Sequence, residues 1–170
     1  MGEFAECLIG VKNACEFLNF PVVSGNVSFY NGTNKKNIYP TPVIGGVGLI
    51  KDIKKLLSHK FTSDNNKIVL IGKTFGHLEQ SCYLRENYSI IDGNPPEINL
   101  LNEKNNGETV LNLINSNLIS SAHDISSGGL IVALSEMTMG SNYGVKVNKS
   151  KNLRNLTEYF FGEDQGRYIL

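Results

Sequence analysis

The stretch from residue 119 to residue 137 constrains the fold more than any other part of the sequence. Ile119 to Ile125 favours a short extended segment, Ser126-Ser-Gly-Gly129 predicts a turn, and Leu130 to Met137 is apolar enough to form a buried helix. A strand that turns directly into a buried helix needs a sheet to pair with and a second layer to cover it. The chain is therefore predicted to be a layered protein of mixed helices and strands.

The same patterns predict further elements on both sides of this unit. Helices are predicted at 3–18, at 52–57 with Asp52 as cap, at 79–86, and from Pro95 onward, where Asn105-Asn-Gly107 leaves one helix or two open. Strands are predicted at 21–30, 41–50, 67–72, 144–147 and from Gly166. Residues 58–66 are polar and predict a boundary between two domains, so the fold class is α+β or α/β.

Charge and composition exclude several functions. Sixteen basic and sixteen acidic residues give a formal charge of zero, which argues against a general surface for nucleic acid. No apolar run reaches the roughly 18 residues of a membrane span, and the first residues lack a signal-peptide pattern. The three cysteines, at positions 7, 15 and 82, form no CxxC pair and are interpreted as buried, reduced thiols. We expect a cytoplasmic protein without nucleic-acid or membrane partners.

The first candidate site is the segment Ser24-Gly-Asn-Val-Ser28. A glycine where a strand bends lets backbone N–H groups approach a phosphate closely. The amide oxygen of Asn26 is a hard ligand suited to Mg²⁺, and Ser28 would point to the same side of a strand as Asn26. The alternative is a bulged strand and turn with no ligand.

The second candidate site runs from His123 to Gly129. Asp124 lies where the predicted strand ends, before a glycine turn and a helix whose N-terminus favours anions. The loop is therefore a candidate to hold an oxyanion or a carboxylate-bound metal. In the alternative interpretation, Asp124 or Ser126 caps the helix and His123 is structural.

The third candidate site is the polar run Gly162-Glu-Asp-Gln-Gly-Arg167, which lies between apolar segments. Glu163, Asp164 and Gln165 are candidates to bind a substrate or to pair internally with Arg167. A solvated turn is the remaining alternative.

These motifs, in this order and at this spacing, closely resemble one family. They are Pro21-Val-Val-Ser-Gly-Asn-Val-Ser-Phe-Tyr-Asn31 with the runs 38–45 and 47–50, then Ala122-His-Asp-Ile-Ser-Ser-Gly-Gly-Leu130 through Met137, then Phe161-Gly-Glu-Asp-Gln-Gly-Arg167. The sequence resembles the second half of the phosphoribosylformylglycinamidine synthases over nearly all of its 170 residues. The resemblance implies an α+β chain: 1–57 as the end of an N-terminal, ATP-binding domain like that of aminoimidazole ribonucleotide synthetase, and 58–170 as most of the C-terminal domain of that superfamily.

The resemblance also implies an activity, its cofactors and its partners. The family is an ATP-dependent ligase that converts formylglycinamide ribonucleotide to the amidine, with ammonia from glutamine, in purine biosynthesis. ATP activates the formamide oxygen, and Mg²⁺ neutralises phosphate charge. The implied partners are a glutaminase subunit, a small bridging subunit and the first half of the same enzyme, which is missing from this sequence.

Roles pass only to residues that match the family's motifs. The resemblance implies ATP contact at Gly25, Mg²⁺ at Asn26, substrate at Ser28, metal at Asp124 and, through internal pseudo-symmetry between the two halves, a substrate loop at Glu163, Asp164 and Gln165. The segment from Leu78 to Leu84 departs from the family's Gly-Gly-Ser-Glu-Tyr-Leu run. The family's presumed catalytic histidine and most of its metal carboxylates lie in parts that this sequence lacks.

Two hypotheses follow from the resemblance. In the first, the chain is a fragment of the ligase and contributes to its catalytic nucleotide site, so that the isolated chain is inactive. In the second, it is a non-catalytic auxiliary module that binds a nucleotide or forms an interface.

Overall fold

The computed structural model describes residues 2–29, 32–148 and 155–170. It divides the chain into two units, 1–49 and 50–170. The first unit contains helix α1 (Gly2–Leu18), as the apolar spacing predicts, and a hairpin of β1 (Gly32–Thr33) and β2 (Lys36–Asn37). No residue of α1 is buried, because one side of the helix lines an open groove of about 490 Å³ instead of packing under another layer. The apolar residues along that groove include Leu8, Val11, Phe20 and Val22.

The strands predicted at 21–30 and 41–50 are not formed in the described part of the first unit. Position 30 of the first of these, like the motif's last residue at 31, lies outside the described residues. A strand is stabilised by a hydrogen-bonded neighbour and by a face that is covered, and these two segments have neither. Even large hydrophobic side chains of these segments are 92–94% exposed, namely Val23, Val43 and Val47.

The second unit combines several helices with a small antiparallel sheet. Its helices are α2 (Cys82–Tyr88), α3 (Leu100–Asn115), α4 (Gly129–Thr138) and α5 (Leu156–Phe161), with a 3₁₀ turn at Ile53–Lys55. Its strands are β3 (Leu70–Ile71), β4 (His123–Ile125) and β5 (Arg167–Ile169). The α+β prediction is confirmed.

The sheet has the order β3-β5-β4, so β5 is central and pairs with both neighbours. Ile169 lies opposite Leu70 on one side and His123 on the other, while Asp124 lies opposite Tyr168. The strand predicted from Gly166 is thus confirmed. The strand predicted at 67–72 is shorter than expected and half-buried, and the extended segment predicted at 119–125 forms a strand only in its last three residues.

The core lies between α4 and the sheet, as the apolar run after the glycine turn predicts. Leu130, Ala133, Leu134 and Met137 pack with one residue from each of β4 and β5, and all are at least 95% buried. The strand residues are Ile125 and Ile169. Five half-buried side chains complete this cluster: Phe61, Leu70, Val145, Tyr159 and Phe160.

Two further expectations are decided by local contacts. Helix α3 is continuous through Asn105-Asn-Gly107, because Asn106 Nδ2 donates to the carbonyl oxygen of Gly166 at 2.9 Å and the helix is held along β5. The strand predicted at 144–147 is wrong, since no regular structure forms there and Val145 instead contributes its side chain to the core. Asp52 caps the 3₁₀ turn as predicted, accepting a bond from the Lys54 N–H at 3.0 Å.

Within the described ranges, no helix is both long and apolar enough to cross a bilayer. The three cysteines are free thiols as expected, but they are half-buried, because α1 is uncovered and Cys82 lies at the first turn of α2.

Candidate functional site

The loop from Gly162 to Arg167 lies at the centre of the polar contacts in the second unit. Its Asp164 is 4% exposed and accepts three backbone N–H bonds from one turn of the preceding chain. Oδ2 accepts from Phe75 at 2.9 Å and from Gly76 at 3.0 Å, and Oδ1 accepts from His77 at 3.2 Å. Three N–H groups around one carboxylate fix the conformation of the irregular segment 75–77.

Arg167 completes this arrangement from the first residue of β5. Its guanidinium is buried, with Nη1 3.8 Å from Asp164 Oδ2, and Nε donates to the Asp164 carbonyl at 3.1 Å. Nη1 and Nη2 also donate to Thr74 and to the Gly162 carbonyl. Burial lowers the pKa of Arg167, and the Asp164 charge opposes that shift. Internal pairing with Arg167 is therefore present, and a solvated turn is excluded for Asp164.

Glu163 connects two segments that are far apart in the chain. Its Oε1 accepts the N–H of Cys82 at 2.8 Å and the N–H of Gly128 at 2.7 Å. Its own N–H donates to the His77 carbonyl at 2.8 Å. Gln165 differs from its neighbours, because it is exposed and its amide makes one long bond of 3.4 Å to the Glu163 carbonyl.

The glycine turn before α4 has the conformation that its sequence predicts, but a different cap. Gly128 and Gly129 both have positive φ, at +82° and +72°, and a Cβ on Gly129 would lie 2.7 Å from the Gly162 carbonyl oxygen. Capping by Asp124 or Ser126 is wrong, since Gly128 is the N-cap and makes no side-chain cap bond. The N–H of Gly128 is bound instead by the Glu163 carboxylate, so the anion predicted at this turn comes from the chain itself.

Asp124 projects from β4 with 64% of its side chain exposed. Its Oδ1 lies 3.2 Å from Nδ1 of His123, whose Nε2 lies 3.3 Å from Glu136 Oε2. The His123 ring also packs edge-on against the ring of His59, with centroids 5.3 Å apart. His123 thus has the packed and bonded surroundings of a structural histidine, whereas most of the Asp124 carboxylate is open to a ligand.

The face of the sheet that carries Asp124 has further ionisable groups. Tyr168 lies opposite Asp124, and burial raises its pKa, with Glu103 and Asp124 adding to the shift. Burial also raises the pKa of Glu103 on α3. Anionic charge is therefore disfavoured at Glu103, because burial removes water from its carboxyl group.

The first candidate segment lies in the other unit and is exposed along its length. Gly25, Asn26 and Ser28 are in irregular chain, so the alternation of side chains expected for a strand is not formed. A Cβ at Gly25 would meet nothing within 4 Å, and its φ is not positive. Nothing that the structure describes demands glycine there, and the contact of Gly25 with ATP stays a prediction.

The two predicted metal ligands lie in different units, Asn26 in the first and Asp124 in the second, and each is considered by itself. Among the residues described, no group of three or more His, Cys, Asp or Glu side chains is arranged to hold a metal. Mg²⁺ usually binds through one or two carboxylates together with phosphate oxygens and water. The open carboxylate of Asp124 is a donor of that kind within the second unit, and its role as a metal ligand stays a prediction, as does that of Asn26 in the first unit.

Sequence reasoning missed several residues that shape this region. Ser81 is fully buried and caps α2 through a 3.3 Å bond from the Leu84 N–H. Asn155 caps α5 by accepting from Thr157 and Glu158. The cap at Asn155 could have been found, because an Asn followed three residues later by Glu, before an apolar run, is a sequence signal for a helix start. The bonds of Glu163 go to backbone N–H groups and have no signature in the sequence.

Comparison with known proteins defines the class first. Residues 63–170 match the family described as AIR synthase related protein, C-terminal domain. The chain therefore belongs to the AIR synthase related proteins, and the C-terminal domain assigned from the motifs is confirmed.

More specifically, all 170 residues align with phosphoribosylformylglycinamidine synthase subunit PurL from several bacteria. Identity is 55% with the Pelagibacter ubique protein, 47% with that of Bradyrhizobium diazoefficiens and 48% with that of Methylocella silvestris. The chain spans 23% of the length of each of these relatives. The resemblance inferred from the motifs is confirmed. The domain boundary predicted between residues 57 and 58 stays a prediction. The two units of the structure divide between residues 49 and 50, and the match to the family begins at residue 63.

Proposed function

We propose that the chain is part of a phosphoribosylformylglycinamidine synthase, which converts formylglycinamide ribonucleotide, ATP and glutamine-derived ammonia to the amidine. The observation that supports this most strongly is 55% identity to subunit PurL of Pelagibacter ubique along every residue of the chain.

The proposed ligand contacts follow the motif positions. Gly25 would lie against ATP, Asn26 and Asp124 would hold Mg²⁺, and Ser28 would contact the substrate. ATP supplies activation of the amide oxygen, and the ion supplies neutralisation of phosphate charge. The task of this chain's own residues is to bind and orient. The amide oxygen of Asn26 and the exposed carboxylate of Asp124 are each a hard donor of the kind that Mg²⁺ accepts.

Substrate binding by Glu163, Asp164 and Gln165 also stays a prediction. The carboxylate oxygens of the first two already accept five backbone N–H bonds. The exposed amide of Gln165 is the group of the three that a substrate would reach first.

The proposal includes partners and a location. We propose that the chain works with the remainder of a longer synthetase, with a glutaminase subunit and with a small bridging subunit, in the cytoplasm. An isolated segment would be inactive, because electrostatic preorganisation requires all the groups around the reacting atoms.

A chimera tests this proposal. The 170-residue chain replaces the matching 23% of the Pelagibacter ubique subunit, and glutamine-dependent formation of the amidine is measured with the partner subunits present. We expect turnover close to that of the parent. In the chimera, Asn26→Ala should reduce turnover by at least about tenfold if Asn26 contributes one charge-assisted ligand bond, whereas Asn102→Ala, at an exposed position on α3, should not. A folded chimera without turnover would contradict the proposal.

The auxiliary module remains the second candidate, because the open carboxylate of Asp124 would suit a structural nucleotide as well as a catalytic one. The same chimera separates the two hypotheses. If Asn26→Ala abolishes binding of ADP with Mg²⁺ in calorimetry while turnover is preserved, the nucleotide site is auxiliary. Loss of both assigns it to catalysis.

A further inference from the structure

Glu163 binds two distant segments through a single oxygen atom. Oε1 accepts from Cys82 at 2.8 Å and from Gly128 at 2.7 Å, across 81 and 35 residues of chain. Both N–H groups belong to helix starts, so both are groups that the helices themselves leave without partners. One carboxylate therefore joins the start of α2 to the turn that begins α4.

The turn held by Glu163 is the continuation of the strand that carries Asp124. Gly128 follows Asp124 by four residues, and a 3.1 Å bond from the Gly129 N–H to the Ser126 carbonyl closes the turn. On its other side, Asp124 is fixed by pairing of β4 with β5. Asp124 thus lies between two restraints, a strand pairing before the turn and the Glu163 carboxylate after it.

Glu163 is itself held rigidly. Its backbone N–H is bonded to the His77 carbonyl, and the next residue, Asp164, is buried against Arg167. Because the main chain of Glu163 is fixed on both sides, its carboxylate can hold a bonded N–H group in place more firmly than a mobile side chain could. Little conformational freedom of the side chain remains to be lost when the bond forms.

From this geometry we propose that Glu163 is a positioning residue, which orients the Asp124 carboxylate for a magnesium-bound nucleotide by holding the turn at Gly128. The proposal rests on the proposed function for the identity of the ligand. The positioning itself concerns only groups within the second unit.

The test uses Glu163→Ala and Glu163→Gln in the 170-residue chain, with Glu108→Ala on the exposed surface of α3 as the control for charge. The first readout needs no ligand: NMR measures amide exchange at Gly128 and Cys82 and the side-chain carboxyl shift of Asp124. Glu163→Ala should lower protection at both amides by about tenfold or more and move the Asp124 signal. Glu163→Gln keeps an acceptor oxygen and should restore most of the protection.

The second readout is calorimetry with Mg²⁺ and ADP. Glu163→Ala should weaken binding by about tenfold, and it should have no further effect when Asp124 is already replaced by Asn, because the two residues act as a unit. An unmoved Asp124 signal in Glu163→Ala, or full additivity with Asp124→Asn, would overturn the positioning proposal. A wild-type chain that binds no Mg²⁺ and ADP would count against the proposed ligand, and the ligand-free readout would still decide the positioning.

Discussion

Replacing Asp164 by Ala removes a carboxylate that accepts three backbone N–H bonds and pairs with a buried arginine. Three backbone N–H groups, at Phe75, Gly76 and His77, lose their acceptor. The guanidinium of Arg167, which is fully buried as a side chain, loses its counter-charge 3.8 Å away. Removing one partner of a buried ion pair typically costs about 3–5 kcal/mol, since the other charge stays buried.

We expect Asp164→Ala to lower the free energy of unfolding by about 3–5 kcal/mol, a large part of the roughly 5–15 kcal/mol typical of a domain. Asp164→Asn keeps one acceptor oxygen and should cost about 1–3 kcal/mol. The matched control is Asp92→Ala, which removes an exposed carboxylate bonded to the adjacent Gly93 N–H at 2.8 Å. Its cost should stay below about 1 kcal/mol.

The assay is equilibrium unfolding in urea, followed by circular dichroism, on the three variants and the wild-type chain. Midpoint and slope together give the change in stability. If Asp164→Ala costs no more than Asp92→Ala, the bonds around Asp164 do not stabilise the fold and the reasoning from burial fails.

The same assay tests three further expectations. Gly129→Ala should cost about 3 kcal/mol or more, because its positive φ and a 2.7 Å approach to the Gly162 carbonyl exclude a Cβ, whereas Gly10→Ala on α1 should be neutral or stabilising. Met137→Ala in the core should cost about 2–5 kcal/mol, and Met139→Ala, 62% exposed, should cost little. Burial raises the pKa of Glu103, so the folded state binds the proton of this carboxyl more tightly than the unfolded state does. The contribution of Glu103 to the free energy of unfolding should therefore fall as pH rises through the carboxyl range. Glu103→Gln should remove that fall, and identical pH profiles for the variant and the wild type would contradict this expectation.

Elements with local signals could be predicted from the sequence. Helix α1 follows from apolar spacing, and α4 follows from two glycines before an apolar run. The strands expected at 21–30, 41–50 and 144–147 depended on partners elsewhere in the chain, and β propensity says nothing about whether a partner is present.

The candidate site likewise has some contacts that the sequence could predict and others that it could not. Asp164 and Arg167 are three residues apart, so their pairing was visible as one alternative from the sequence. The partners of Glu163 are backbone N–H groups 81 and 35 residues away, which any amino acid supplies equally. Sequence reasoning therefore found the residue, but the structure was needed to find what its carboxylate binds.

The central place of β5 affects how the second unit is made in the cell. Leu70 of β3 and His123 of β4 both pair with Ile169 of β5. Neither outer strand therefore has its neighbour until the ribosome has translated β5. During that interval the apolar face of α4 has no completed sheet to cover it. The nascent segment is consequently expected to depend on chaperones until β5 leaves the exit tunnel, and then to gain its sheet in a single late step.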